Sequence, residues 1–163
     1  MRDMEKTLRQ AELRVAMRRA IMTEKDAMDY YRYAGEKMYN ERARLTFHLL
    51  AKEEREHARS FYDAYRWDDL PPFDELMAAP PDTGSEWWQA LQQTMLGDFD
   101  EPLALTLAIE RETTLEKSLR SIAEKVSDPA VREIFLNNAR LTHHHLEMVE
   151  QDYQALMEGS RLE

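Results

Sequence analysis

Apolar positions recur along this chain at alternating steps of four and three residues, in four long stretches. In the first, Leu13, Met17, Ala20, Glu24, Ala27, Tyr31, Ala34 and Met38 form one stripe. That spacing predicts an amphipathic helix over about 5–39. Asn40 supplies an N-cap for a second helix over about 41–67, with the stripe Phe47, Leu50, Glu54, His57, Phe61. A third helix is predicted over about 101–126, opening at Asp100-Glu101-Pro102, with the stripe Ala108, Glu112, Leu115, Leu119, Ile122, Val126. Asp128-Pro129 caps and starts a fourth, over about 129–158. Helices one and two join almost directly, as do three and four, so each pair is read as an antiparallel hairpin. A long crossover over about 68–99 separates the pairs and holds Pro71-Pro72 and Pro80-Pro81. Within it, Ser85 is placed to cap a short helix from Glu86 to Leu96, ended by Gly97. The expectation is a single all-α domain over 1–163, a four-helix bundle of two hairpins.

The two hairpins are faint copies of each other at a constant offset. Ala20-Ile21-x-x-Glu24 recurs as Ala108-Ile109-x-x-Glu112, Glu36-Lys37 as Glu124-Lys125, Arg44 as Arg132, Phe47 as Phe135 and His57 as His145. The caps Asn40 and Asp128 obey the same offset. Two of the repeated residue types, Glu and His, are metal ligands.

Three of the glutamates sit where apolar residues belong. Glu24, Glu54 and Glu112 fall inside the apolar stripes of their helices. A buried, unpaired carboxylate carries a large desolvation penalty, and a cation shared by several carboxylates removes it. Composition narrows the chemistry further. The chain has no cysteine. That excludes disulfides, thiolate zinc, a Cys nucleophile and iron–sulfur or rubredoxin-type centres within these residues. With 32 acidic against 22 basic residues, net charge −10 and no basic patch, nucleic acid is not an expected partner. No long apolar run exists for a membrane span, and the charged N-terminal stretch does not read as a signal peptide, so a cytoplasmic location is expected.

Glu54-Arg55-Glu56-His57 places a carboxylate and an imidazole at i and i+3, on one face of a helix. Glu24 occupies the matching place on the paired helix, and the repeat supplies Glu112 and His145 from the other hairpin. Such a set follows the ligand logic of di-iron carboxylate bundles. Ala20-Ile21-x-x-Glu24-x-x-Ala27-x-x-Tyr30-Tyr31 followed by Ala51-Lys52-Glu53-Glu54-Arg55-Glu56-His57-Ala58 resembles the rubrerythrin-like branch of the ferritin superfamily. The resemblance implies a ferritin-like bundle with Glu24, Glu54, His57, Glu112 and His145 as ligands of two iron ions, Glu54 bridging them. It also implies peroxidase or ferroxidase activity toward dioxygen or hydrogen peroxide, with Glu54 and Tyr31 closest to the chemistry. Rubrerythrins carry their own rubredoxin-type electron donor; a cysteine-free chain would need an external one. A homodimer is expected, with the tryptophan-bearing crossover as a contact.

The chain departs from that pattern at two positions. The repeat partner of Glu54 is Thr142, and that of Tyr31 is Leu119. A neutral hydroxyl is a poorer iron ligand than a carboxylate. The expectation is a tighter first position (Glu24, Glu54, His57) and a weaker second one (Glu112, His145, Glu54), with Glu116 the other carboxylate near enough to reach in. Of the run His143-His144-His145, only His145 is expected to face inward, because successive helical residues point in different directions. Zinc or manganese would suit the same donors. The competing expectation is a ferritin-like scaffold whose site has decayed and which acts through its surface as an interaction protein.

Overall fold

The computed structural model describes residues 8–162. Residues 5–7 of the first predicted helix lie outside the described residues. The chain runs α1 (Gln10–Lys37), α2 (Glu41–Ala64), α3 (Phe73–Ala78), α4 (Glu86–Gln93), α5 (Glu101–Lys125) and α6 (Pro129–Leu162). No strand occurs among the described residues. Helices α1 and α2 pack as one hairpin and α5 and α6 as the other, with α2 against α6 across the seam. This is the all-α, ferritin-like bundle that the helical stripes and joint lengths imply.

The 88-residue offset is visible in how the two hairpins turn. Asn40 accepts from the Ala43 amide and Asp128 from the Ala130 amide, so both second helices are capped by a side-chain oxygen. Arg44 donates to the Met38 carbonyl and Arg132 to the Val126 carbonyl, each satisfying the last turn of the helix before it. The hairpins are further tied end to end. The Glu101 carboxylate accepts from the Tyr39 and Asn40 amides at 2.7 and 2.8 Å, and the Leu8 amide donates to the Lys125 carbonyl at 2.8 Å.

The crossover differs from the expectation in two places. A helix at Phe73–Ala78 was not foreseen; six residues are too few for a periodic stripe, although Pro72 and the acidic pair Asp74-Glu75 mark its start. The next helix ends at Gln93 rather than at Leu96-Gly97. Thr94 stops it, its hydroxyl donating to the Leu91 carbonyl while its own carbonyl accepts from the Asp100 amide. Helix α2 likewise ends three residues before Trp67, at Ala64. The chain then turns so that Asp69 meets Arg14 and Arg18 of α1.

Two contacts fasten the crossover. Arg55 and Arg59 lie over the Phe73 ring, with Arg55 also paired to Asp74. The buried Lys25 ammonium pairs with Asp29 and donates to the Ala79 carbonyl. Beyond them Trp87 fills the gap between α1 and α5, its ring 5.2 Å from Tyr30 and 5.6 Å from Tyr31. Trp87 therefore covers the core. No helix among the described residues is long and apolar enough to cross a membrane.

The core is divided into two lobes. One gathers Leu13, Met17, Phe61, Leu119 and Phe135; the other gathers Tyr30, Tyr31, Phe47, Leu105 and Val149. Trp87→Ala is expected to destabilise the fold by about 3 kcal/mol or more, as emptied aromatic sites do. Leu96→Ala, at a position 89 % exposed, should change stability by less than about 0.5 kcal/mol. Urea denaturation of the two variants checks the contrast.

Candidate metal centre

Between the lobes lies a layer of polar side chains drawn from all four long helices. Glu24 comes from α1, Glu54 and His57 from α2, Glu112 from α5, and Thr142 and His145 from α6. All six are buried, the three carboxylates and Thr142 most deeply. Each helix reaches this depth for a local reason. The polar residue replaces one apolar member of the stripe, and the turns above and below it are held in the core by Ala20 and Ala27, Leu50 and Phe61, Ala108 and Leu115. Glu54/His57 and Thr142/His145 are both i, i+3 pairs, so each pair presents two groups to the same interior point.

The groups converge. His57 Nδ1 lies 3.5 Å from Glu24 Oε2 and 3.6 Å from Glu54 Oε2. His145 Nδ1 lies 2.8 Å from Glu54 Oε1 and 3.8 Å from Glu112 Oε1. Glu54 thus touches both imidazoles, one with each oxygen. The two rings stack face to face, centroids 4.9 Å apart. Ligating atoms of Glu54, His57 and His145 all fall within 4.8 Å of one another, so these three could hold a metal ion.

Many of these atoms have nothing to bond. Both oxygens of Glu24, Glu54 Oε2, Glu112 Oε2, His57 Nδ1 and Thr142 Oγ1 are buried without a hydrogen-bond partner. Native interiors satisfy nearly all such atoms, and carboxylates facing carboxylates cannot satisfy each other unless a proton or a cation lies between them. The donor set is oxygen and imidazole nitrogen, which suits iron, manganese or zinc. The residues present fit a metal.

Without metal, protons do the cation's work. Burial and the Glu54 charge push Glu24 well above the usual carboxylate range. Burial alone would raise Glu54 too, but the neighbouring Glu24 side chain and the two imidazoles hold it well below that range. Burial and the Glu54 charge lift Glu112 to about 7, against the pull of His145 and Tyr31. Burial disfavours charge on the histidines, yet the glutamates outweigh it, raising His57 to about 10 and His145 to about 11. Without metal, proton binding is thus favoured at Glu24, Glu112, His57 and His145 and disfavoured at Glu54.

Tyr31 stands beside the layer and donates its hydroxyl proton to Glu112 Oε1 at 2.6 Å. That contact fixes the carboxylate's orientation. Glu116, the other carboxylate expected within reach, does not turn inward. It accepts from Arg120 at 2.9 Å and pairs with the exposed His143 at 2.8 Å, on the outer side of α5 and α6. His143 and His144 are exposed, and His145 alone of the three is buried. Glu53 was not foreseen: its Oε2 lies 2.6 Å from His145 Nε2, the outer nitrogen of the ring. It sits beside the stripe rather than in it, and the pattern offered no other signal.

A cavity of about 280 Å3 opens between α1 and α5, lined in part by Ala20, Thr23, Trp87, Leu115 and Leu119. Ala20 is one helical turn from Glu24, and Leu115 one turn from Glu112, on the same faces. Leu119, where the repeat would have a second tyrosine, is among the walls.

The family model described as Rubrerythrin matches residues 16–75. The matched segment covers α1 from residue 16, all of α2 and the start of α3, and includes Glu24, Tyr31, Glu54 and His57. It is consistent with a rubrerythrin-like, ferritin-like family. No curated protein and no solved structure matches the chain.

The raised imidazoles set a pH dependence. A histidine whose folded pKa exceeds its unfolded value stabilises the fold fully below about 6.5 and loses that contribution as pH rises through the folded pKa. Metal-free protein should lose stability progressively as pH rises from about 6.5, until the His57 contribution is gone above about 10 and the His145 contribution above about 11. Urea denaturation across that interval, on protein stripped by chelator, reads the loss. A metal ion displaces the same protons, so its binding should release protons and tighten as pH rises.

Proposed function

We propose that this chain is a non-haem di-metal protein of rubrerythrin type, holding two iron ions and reacting with hydrogen peroxide or dioxygen as a peroxidase or ferroxidase. The observation that carries this reading is the set of unpartnered carboxylate and imidazole atoms meeting between the hairpins in full burial. Glu24, Glu54 and His57 would hold one ion; Glu112 and His145 would hold the other, with Glu54 reaching both. Bound ferrous ions supply two electrons, the number that reduction of peroxide to water requires.

The chain's own residues do the rest. The two apolar lobes exclude bulk water above and below the layer, which strengthens every charge interaction inside it. Tyr31 keeps Glu112 oriented and packs against Trp87. The cavity that Trp87 lines with Leu115 and Leu119 gives a small oxidant a way toward the layer. With no cysteine in the chain, electrons would return through an external donor. A decayed scaffold is the weaker reading, since a site without function has no reason to keep three glutamates and two histidines in the interior at the cost of their hydration.

Thr142 is buried at the repeat position of Glu54 and its hydroxyl has no partner, so the position faces the interior with an inadequate ligand. Anaerobic ferrous titration should show two steps of unequal affinity. Glu54→Ala should abolish both, His145→Ala should remove mainly the weaker, and Thr142→Glu should strengthen it. Equal losses in the two alanine variants would contradict the asymmetry. Absence of any metal step in the unaltered protein would end the reading.

A further inference from the structure

We propose that Glu53 is a positioning residue that makes good, from outside, the carboxylate missing at Thr142. The inference rests on the di-metal reading above. Two ferrous ions bring four positive charges, whereas Glu24, Glu54 and Glu112 bring three negative ones. Glu53 is the fourth. It does not face the interior; it reaches from α2 across to α6 and takes the outer edge of the imidazole, Nε2, at 2.6 Å.

That contact has two consequences. A carboxylate on the outer nitrogen keeps the proton there, so that the inner nitrogen is free to ligate, and it raises the ligand's basicity. The inner nitrogen of His145, Nδ1, already faces Glu54 and Glu112 at 2.8 and 3.8 Å. The ring is thus clamped between an outer carboxylate and the metal position that lacks its own.

The rest of the layer has no such arrangement. His57 meets carboxylates only at Nδ1, and no carboxylate sits on its other nitrogen among the described residues. The residue 88 positions after Glu53 is Leu141, which is apolar and 40 % exposed. The repeat therefore breaks at two neighbouring positions together. The first hairpin carries Glu53-Glu54, and the second carries Leu141-Thr142. The histidine that gains an outer carboxylate is the one whose own helix has lost the inner one. Because the Glu53 side chain is 41 % exposed, water weakens its charge, and its effect belongs at the low end of that seen for such partners, about tenfold in metal affinity.

Anaerobic titration of metal-free protein with ferrous ion, followed by calorimetry, tests this. Glu53→Gln keeps the shape and hydrogen-bonding ability of the side chain and removes only the charge; a circular dichroism melt verifies that the variant folds. The expected result is about a tenfold loss in the weaker step with the tighter step unchanged, and recovery of the weaker step when Thr142→Glu is added. An unchanged weaker step, equal loss from both steps, or no recovery in the double variant would overturn the role of Glu53. If the unaltered protein takes up no iron, the di-metal reading itself fails; if it takes up two ions and Glu53→Gln does the same with equal affinities, only the present inference falls.

Discussion

Neutralising a buried layer of charge is the constraint on which this molecule is built. Three carboxylates and two imidazoles sit where a four-helix bundle would otherwise place leucine and phenylalanine. Transferring even one isolated ion from water to such a place is worth several kcal/mol against folding. In the metal-free state the layer favours protons on Glu24 and on both histidines and disfavours one on Glu54. A divalent cation in the same place would release those protons and satisfy the oxygens that they leave bare. Folding and metal binding are therefore linked through the same few atoms.

The remainder of the fold serves to hold that layer still. Apolar lobes on either side provide the burial that makes the charges interact strongly. The hairpin turns are repeated, each with a side-chain cap and an arginine–carbonyl contact, so the two halves enter the bundle alike. The crossover is pinned by Lys25 and Arg55, which keeps Trp87 wedged against Tyr30 and Tyr31. Tyr31 in turn orients Glu112. Each link is a short contact between rigid helices, and misplacement of any of them would be felt at the centre.

The internal repeat is as informative where it fails as where it holds. Tyr31 has no counterpart, and Leu119 helps to wall a cavity on that side. Glu54 has none either, and Thr142 leaves an unpartnered hydroxyl in the interior. The layer is thus asymmetric: Leu119 stands at the repeat position of Tyr31, and Thr142 at that of Glu54.

The helices, their pairing and the inward position of Glu24, Glu54, His57, Glu112 and His145 were legible in the sequence. Periodicity is a local property, and a charged residue inside an apolar stripe has nowhere to go but inward. The short helix at Phe73–Ala78 and the early stop at Gln93 were not legible: one is too brief to show a period, and the other depends on Thr94 bonding to Leu91 and Asp100. Nor could sequence tell that Glu116 turns outward to His143 while Glu53 reaches His145. Neighbouring residues on a helix differ by about 100° in direction, and which of two flanking carboxylates meets a given imidazole is decided by the separation and rotation of α2, α5 and α6. Which residues enter the interior follows from the pattern along each helix; which of them touch follows only from how the helices pack.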